Sequence, residues 1–302
     1  MTDSSHVWVD GRLLPADGLH LSAFDRAFQL GDGIFETLRA HGGHVTELAD
    51  HLIRLRRSAA GLDIELPTDT DTRIEAGIAE LLHADGFDVP TGDASLRITV
   101  SRGAFQGRGL LPPDEIVPPT IAIQVWPVVP IPAGHLESGL HLVASAIRRD
   151  PANPLATLKT VSRADYVYAR LEARRAGADD ALFLTLDGHL SEATTSNIFL
   201  VRQAAYGALE LATPSLDCAI LPGTTRSWLL SWGARHDLKP FEGLLLPADL
   251  VASDEAFLSS SVAGILPVTR FEGAAIGAGA PGPWTRRARA DREAMIRDEA
   301  TG

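Results

Sequence analysis

The stretch Leu190-Ser-Glu-Ala-Thr-Thr-Ser-Asn-Ile-Phe199 carries one carboxylate among hydroxyl and amide side chains, just before an apolar strand. It follows the turn dipeptide Asp187-Gly188, so the chain is expected to reverse direction immediately upstream. Glu192 is then either a solvated turn carboxylate, as such residues usually are, or a fixed anion that holds a proton on a heterocyclic nitrogen. Under the second interpretation, other parts of the chain must bind that heterocycle.

The sequence contains only two lysines, and their surroundings differ. Lys159 has leucines and a valine close by in sequence, whereas Lys239 lies in a polar stretch that ends in proline. A lysine with apolar neighbours is usually a surface residue whose stem covers the core. The functional alternative is a partly desolvated amine suited to Schiff-base formation. Lys159 is therefore the candidate amine.

Two hydroxyl-rich segments are candidate anion sites. Leu221-Pro-Gly-Thr-Thr-Arg226 opens a predicted helix, where backbone N–H groups and two hydroxyls meet the positive end of the helix dipole. Ser259-Ser-Ser261 follows a predicted strand and offers further donors. Each has an ordinary alternative, an N-cap for the first and a polar loop for the second. An amine, a carboxylate and two anion sites together suit pyridoxal 5'-phosphate (PLP).

Composition excludes several protein classes. The chain has 302 residues, of which 45% are hydrophobic, which excludes a disordered chain and allows one large or two medium domains. Its formal net charge of −12 argues against a nucleic-acid surface. Nucleotide-binding, zinc and serine-hydrolase motifs are absent, so we predict no metal site. One cysteine, no secretory signal and no apolar run of about 18 residues favour a cytoplasmic protein.

Hydrophobic periodicity predicts a mixed α/β chain. It gives a hairpin around Asp10-Gly11, amphipathic helices over residues 47–62 and 70–84, and a strand over residues 94–103. In that strand Arg97 shares the hydroxyl-bearing face, opposite the aliphatic one. In the first helix Arg54 lies off the apolar stripe and is expected to reach a site. Several prolines after residue 126 indicate a semi-rigid interdomain linker.

The motifs, in their order along the chain, resemble those of the class IV (fold-type IV) PLP-dependent aminotransferases. This group includes D-amino-acid, branched-chain and (R)-amine transaminases and aminodeoxychorismate lyase. The most specific motifs are Gln29-Leu-Gly-Asp-Gly-Ile-Phe-Glu36, His51-Leu-Ile-Arg-Leu55, Leu158-Lys159-Thr160, Ser191-Glu-Ala-Thr-Thr-Ser-Asn-Ile-Phe199, Pro222-Gly-Thr-Thr-Arg226 and Phe257-Leu-Ser-Ser-Ser261. The resemblance implies a two-domain α/β (α+β) homodimer. Its parts would be a small N-terminal α/β domain over 1–124, a linker over 125–134, and a larger PLP-binding domain over 135–302 built on a sheet or barrel with helices.

The resemblance also implies residue roles. Lys159 would form the Schiff base with the cofactor and then move the proton, and Glu192 would pair with the pyridine nitrogen. The groups implied to bind the phosphate are Arg54, Thr224, Thr225, Ser260 and Ser261. The candidates for binding the substrate are Arg97, Arg108, Arg26 and Phe35.

Subfamily motifs point to the D-amino-acid branch. Thr160-Val-Ser-Arg-Ala-Asp-Tyr166 resembles that branch, and Leu30 stands where branched-chain enzymes place a tyrosine. The function this implies is transfer of the amino group of a D-amino acid, and of (R)-amines, to 2-oxoglutarate or pyruvate. Ser101-Arg-Gly-Ala-Phe-Gln-Gly-Arg-Gly109 instead resembles a loop of aminodeoxychorismate lyase, which forms 4-aminobenzoate and pyruvate. A branched-chain L-amino-acid aminotransferase and a ligand-binding protein on an inactive enzyme fold are further alternatives.

Overall fold

The computed structural model describes residues 5–114, 116–204 and 207–300, and internal contacts divide the chain into two units. The first unit contains the chain up to Val129, the segment Leu158–Ser162 and the chain from Ile296 onward. The second contains Pro130–Thr157 and Arg163–Met295. The division after Val129 falls inside the predicted linker, and a short helix, α4 (Ala133–Glu137), begins at the end of that linker and extends beyond it.

In the part of the chain that the structure describes, the first unit contains six strands and three helices. They are β1 (His6–Val9), β2 (Arg12–Pro15), α1 (Arg26–Leu30), β3 (Gly33–His41), β4 (His44–Val45), α2 (Leu48–Gly61), α3 (Thr70–Ala84), β5 (Asp93–Ser101) and β6 (Thr120–Pro127). The strands form an antiparallel sheet in the order β2-β1-β6-β5-β3-β4. Both predicted helices and the predicted strand are confirmed to within two residues.

Local sequence explains these elements. Asp10 and Gly11, with φ of 49° and 89°, form the two-residue turn of the β1–β2 hairpin, as predicted. In β5, Leu96, Ile98 and Val100 are fully buried in a core shared with the apolar stripes of α2 and α3. Such burial stabilises the fold by roughly 1.5–3 kcal/mol for each side chain. Arg97 is on the opposite face, as the alternation predicts.

The second unit is built on a nine-stranded mixed sheet. Its elements beyond α4 are β7 (Leu140–Arg149), α5 (Ala164–Arg175), β8 (Asp180–Thr185), β9 (Leu190–Ala193), β10 (Asn197–Gln203), β11 (Leu209–Pro214), α6 (Thr224–Arg235), β12 (Lys239–Gly243), α7 (Pro247–Val251), β13 (Glu255–Ser260), β14 (Gly264–Phe271) and β15 (Ala274–Ala275), with α8 (Pro283–Glu299) near the end of the chain. The strand order is β12-β11-β10-β13-β14-β7-β8-β9, with β15 beside β14. Three of the pairings, β11–β12, β14–β7 and β7–β8, are parallel.

A buried carboxylate fixes the start of α8. Oε1 of Glu255 accepts a hydrogen bond from the backbone N–H of Trp284 at 3.0 Å, and Oε2 accepts from the N–H and the hydroxyl of Thr285 at 2.8 and 2.7 Å. Glu255 therefore satisfies N–H groups that would otherwise lack partners at the helix N-terminus and complements the helix dipole.

Candidate active site

Lys159 lies on Leu158–Ser162, which pairs with β3 within the first unit. The N–H of Phe35 donates to the carbonyl of Lys159, and the N–H of Val161 donates to the carbonyl of Gly33, both at 2.9 Å. The N–H of Lys159 itself donates to Oγ of Ser58 on α2, at 3.1 Å. The backbone of Lys159 is thus held by a strand on one side and a helix on the other.

Phe35 brings two cationic side chains together. Nζ of Lys159 is 4.7 Å from the centroid of its ring, and Cζ of Arg97 is 3.8 Å from the same centroid. Both distances are within the range of cation–π interaction. Nε of Arg97 also donates to Oγ1 of Thr99, at 3.2 Å. An amine and a cation able to bind a carboxylate therefore contact the same aromatic ring.

The structure corrects the expectation that Arg54 lies clear of the buried face of α2. Arg54 is only 6% exposed, because Glu36 on β3 supplies a buried counterion. Its Nε and Nη2 donate to the two oxygens of Glu36 at 2.8 and 2.6 Å, and Nδ1 of His51 contacts Oε2 at 2.8 Å. Burial raises the pKa of Glu36, but the hydrogen bonds from Arg54 and His51 outweigh burial and lower that pKa to about 2. Burial lowers the pKa of His51, which favours a neutral imidazole.

Arg26 has its nitrogens bonded within the first unit. Nε donates to Asp32 at 2.7 Å, Nη2 donates to the carbonyl of Leu110 at 2.8 Å, and Nη1 donates to that of Gly109 at 3.4 Å. Burial raises the pKa of Asp32, but hydrogen bonds from Arg102 and Arg26 outweigh it and keep the pKa below its usual value. The loop that carries the exposed Arg108 is therefore anchored next to that side chain.

In the second unit, Glu192 is buried and hydrogen-bonded. It is 5% exposed, its Oε2 accepts from the N–H of Leu221 at 2.9 Å, and its Oε1 accepts from the hydroxyl of Tyr166 at 3.2 Å. Nη2 of Arg149 lies 3.9 Å from Oε1. Burial, followed by the negative charge of Glu192, raises the pKa of Tyr166 to about 12, so the phenol stays protonated and donates. The interpretation as a solvated turn carboxylate is wrong.

The turn before α6 brings the two hydroxyl-rich segments together. The side-chain amide of Asn197 donates to the carbonyl of Leu221 at 3.0 Å, and a Cβ on Gly223 would displace Oδ1 of Asn197 and disturb this contact. Gly223 is the N-cap residue of α6, so Thr224 is the first residue of the helix. Oγ1 of Thr224 lies 3.3 Å from Oγ of Ser261. Backbone N–H groups and hydroxyls therefore converge where an anion is favoured.

Sequence reasoning assigned no role to four of the polar residues in these clusters. Glu36 and His51 fall inside quoted motifs. The signal that could have identified them is a glutamate on a strand in which most other residues are buried. Tyr166 ends a quoted subfamily motif but was given no role, and Arg149 lies outside every quoted motif. Cζ of Arg149 stacks on the rings of Tyr166 and Phe183 at 4.2 Å each, a contact between residues far apart in sequence.

The family comparison agrees with this arrangement. A family model described as Amino-transferase class IV matches residues 33–271. The chain therefore belongs to the class IV aminotransferases and is a PLP-dependent enzyme. Each unit offers groups that suit part of this cofactor: an amine in the first unit, and a buried carboxylate and paired hydroxyls at a helix start in the second.

Individual relatives span different substrate classes. A putative branched-chain-amino-acid aminotransferase of Methanocaldococcus jannaschii is 30% identical over 271 residues, covering 89% of each chain. The D-alanine aminotransferase of Bacillus licheniformis is 29% identical and covers 93% of each chain. The solved structure of the branched-chain amino acid aminotransferase from Escherichia coli has a TM-score of 0.86 at 22% identity, covering 98% of this chain and 95% of that one. That likeness shows a common fold.

Two further findings concern metal ions and membranes. Across the described ranges, no group of three or more His, Cys, Asp or Glu side chains is placed to hold a metal ion. The helices described in those same parts of the chain are too short or too polar to cross a bilayer.

Proposed function

We propose that this enzyme transfers the amino group of a D-amino acid, and of (R)-amines, to a 2-keto acid such as 2-oxoglutarate or pyruvate. The observation that carries the proposal is the pairing of Lys159 and Arg97 on the ring of Phe35. An amine next to a carboxylate-binding cation suits a substrate that carries both an amino group and a carboxylate. The D-preference is supported by Thr160-Val-Ser-Arg-Ala-Asp-Tyr166 and by Leu30.

The cofactor-binding roles proposed for Lys159 and Glu192 are those that the family resemblance implies. When bound, PLP supplies an electron sink for negative charge on the carbon next to the amino group. The amine of Lys159 moves the proton to and from that carbon. Glu192 would pair with the ring nitrogen, and its two oxygens are already oriented by the hydrogen bonds from the N–H of Leu221 and the phenol of Tyr166.

The phosphate is proposed to be bound by the helix start and by a buried guanidinium. The hydroxyl of Thr224 and that of Ser261 already lie side by side, and the fork of bonds to Glu36 fixes the orientation of Arg54. This set offers neutral donors, a guanidinium whose charge is paired with Glu36, and the helix dipole, which together suit a phosphate group. The proposed phosphate ligands are Arg54, Thr224, Thr225, Ser260 and Ser261.

The substrate carboxylate is proposed to meet Arg97, with Phe35 forming an apolar wall. Arg108 is proposed to contribute a second cation from its exposed loop. Arg26 is proposed to act through that loop, because its guanidinium binds the carbonyls of Gly109 and Leu110.

We also propose that the enzyme is a homodimer. Among the described residues of the first unit, six large apolar side chains are more than three-quarters exposed, namely Leu19, Phe28, Leu110, Leu111, Ile116 and Val129. Surfaces of this composition are common at protein interfaces. Light scattering coupled to size exclusion is expected to give twice the mass of the chain, and an active monomer would contradict the proposal.

Half-reactions followed by cofactor absorbance test the substrate proposal. Holoenzyme is expected to convert its bound cofactor to the amine form with D-alanine, D-glutamate and (R)-phenylethylamine. Lys159→Ala serves as the control without the amine. Rapid reaction with L-leucine and none with the D-amino acids would overturn the proposal in favour of a branched-chain enzyme.

The second candidate function is aminodeoxychorismate lyase. The specific observation is Ser101-Arg-Gly-Ala-Phe-Gln-Gly-Arg-Gly109, whose first arginine, Arg102, bonds to both oxygens of Asp32. Formation of 4-aminobenzoate from aminodeoxychorismate in the absence of any keto acid would establish the lyase.

A further inference from the structure

A buried arginine of α8 contacts the proposed phosphate-binding residues. Arg292 is 1% exposed, and its Nη2 donates a hydrogen bond of 3.4 Å to Oγ1 of Thr225. Its other contacts include Sδ of Met295, 3.5 Å from Nη1, and the ring of Trp228, whose centroid is 5.2 Å from Cζ. A full positive charge is thus placed in the interior, beside the first turn of α6.

Two sources of positive potential act at this point. The N-terminus of a helix carries about half an elementary charge. The guanidinium of Arg292 adds a charge that persists at every pH at which the protein is folded. Solvent screening is weak because the side chain is buried, so the potential extends to any group at the first turn of α6. Both sources favour an anion there.

The hydrogen bond also orients the hydroxyl of Thr225. A threonine hydroxyl has one proton to donate, and its oxygen already accepts from Arg292. Its own proton is therefore directed away from the guanidinium. A charged donor on the oxygen polarises the O–H bond and strengthens the hydroxyl as a donor. We call Arg292 and Thr225 together the relay: the guanidinium orients the hydroxyl, and the O–H group of Thr225 becomes a stronger donor.

We propose that Arg292 is a positioning residue for the cofactor phosphate. It holds the hydroxyl of Thr225 in its donating orientation and raises the local positive potential, so phosphate affinity depends on the last helix of the chain. This inference rests on the proposed role of Thr225 in binding the phosphate. Arg292 acts through Thr225 and takes no part in proton transfer.

Binding of PLP and of pyridoxal, which lacks the phosphate, to the full-length apoenzyme tests the proposal. Arg292→Met removes the charge and the donor while keeping most of the volume, and is expected to raise the Kd for PLP about 10- to 100-fold, as expected for loss of a charge-assisted bond. The Kd for pyridoxal is expected to stay unchanged. Arg292→Lys keeps the charge and is expected to lose less than Arg292→Met.

Arg287→Met is the matched control, because it removes the same charge from an exposed position of α8. It is expected to leave both dissociation constants unchanged. If Arg292→Met weakens pyridoxal as much as PLP, or leaves PLP binding intact, the positioning role is overturned. Should Arg292→Met fail to fold, the ratio of the two dissociation constants in Arg292→Lys decides the question. An unchanged ratio in that variant overturns the proposal.

Thr225→Val separates failure of this inference from failure of the proposed phosphate site. Weaker PLP binding in both Thr225→Val and Arg292→Met supports the relay. Weaker binding in Thr225→Val alone overturns the role of Arg292 and leaves the phosphate site standing. Unchanged PLP binding in Thr225→Val overturns the phosphate site, and with it the inference.

Discussion

The backbone N–H of Leu221 donates a hydrogen bond of 2.9 Å to Oε2 of Glu192. The carbonyl of Leu221 in turn accepts from Asn197, so both polar groups of this turn residue are held by side chains from neighbouring strands. The carboxylate and the start of α6 are thereby fixed relative to each other. A change at Glu192 therefore tests both its charge and the turn that it supports.

Glu192→Gln removes the charge while keeping an acceptor for the N–H of Leu221. We expect the half-reaction with an amino donor to slow about 10-fold to 100-fold, because a hydrogen bond to a charged group is worth roughly 1.5–3 kcal/mol. Stopped-flow absorbance measures the rate. Glu210→Gln, which changes another buried glutamate of the second unit, is the control. A rate within about twofold of wild type would contradict the proposed role.

Tyr166→Phe removes one of the donors to Glu192 and keeps the ring that stacks with Arg149. Since a net hydrogen bond contributes about 1 kcal/mol, we expect the half-reaction to slow about fivefold. Tyr168→Phe, on the exposed side of the same helix, is the matched control and should react at the wild-type rate. Equal rates in the two variants would show that the phenol does not act on Glu192.

Arg97→Met removes the cation that lies on Phe35. We expect KM for 2-oxoglutarate to rise about 10-fold to 100-fold, as for loss of a charge-assisted hydrogen bond. The half-reaction with (R)-phenylethylamine, which has no carboxylate, should change little. Arg57→Met on the exposed face of α2 controls for charge. Equal losses with both donors would indicate a structural role for Arg97.

Glu36→Gln tests the buried ion pair through its pH dependence. The pKa of Glu36 falls from its ordinary 4.5 to about 2 in the folded protein, so its stabilisation is complete above 4.5 and lost as pH falls through 2. The wild-type Tm should therefore drop in this window. The variant should have a lower Tm at neutral pH, because Arg54 loses its counterion, and a flatter acid profile. Glu65→Gln, at an exposed site, should behave as wild type. A variant whose acid profile stays as steep as that of the wild type would refute this assignment.

Glu255→Ala removes the acceptor at the start of α8. We expect the free energy of unfolding to fall by about 1–3 kcal/mol, because a helix cap is lost and buried N–H groups are left without partners. Denaturant titration measures the loss. The adjacent exposed Asp254→Ala is the control. Equal stability of the two variants would contradict the capping role.

Periodicity alone predicted the elements of the first unit well, and its limits are visible at Arg54. The steps of three and four correctly identified the apolar stripe of α2. They could not show that a second, polar stripe is also buried, because that depends on Glu36 in a different strand. A charged residue is expected at the surface unless a counterion is known, and only tertiary structure supplies the counterion.

The candidate site was likewise predicted only in part from the sequence. Lys159 and Glu192 were singled out from residue type and neighbours, but the ordinary interpretation of Glu192 failed because its donors come from Leu221 and Tyr166. The pairing of Thr224 with Ser261 was anticipated only as two separate hydroxyl clusters. Arg292 lies in a helix that composition describes merely as charged.

The excursion of Leu158–Ser162 into the first unit makes the chain cross between units four times instead of twice. Neither unit is therefore a contiguous gene segment, and a fragment that ends at Val129 lacks the backbone that bonds to β3 at Gly33 and Phe35. Recombination at the proline-rich joint would separate Lys159 from its own sheet. The two units therefore cannot be exchanged as independent contiguous segments, because the first unit includes chain from beyond Thr157.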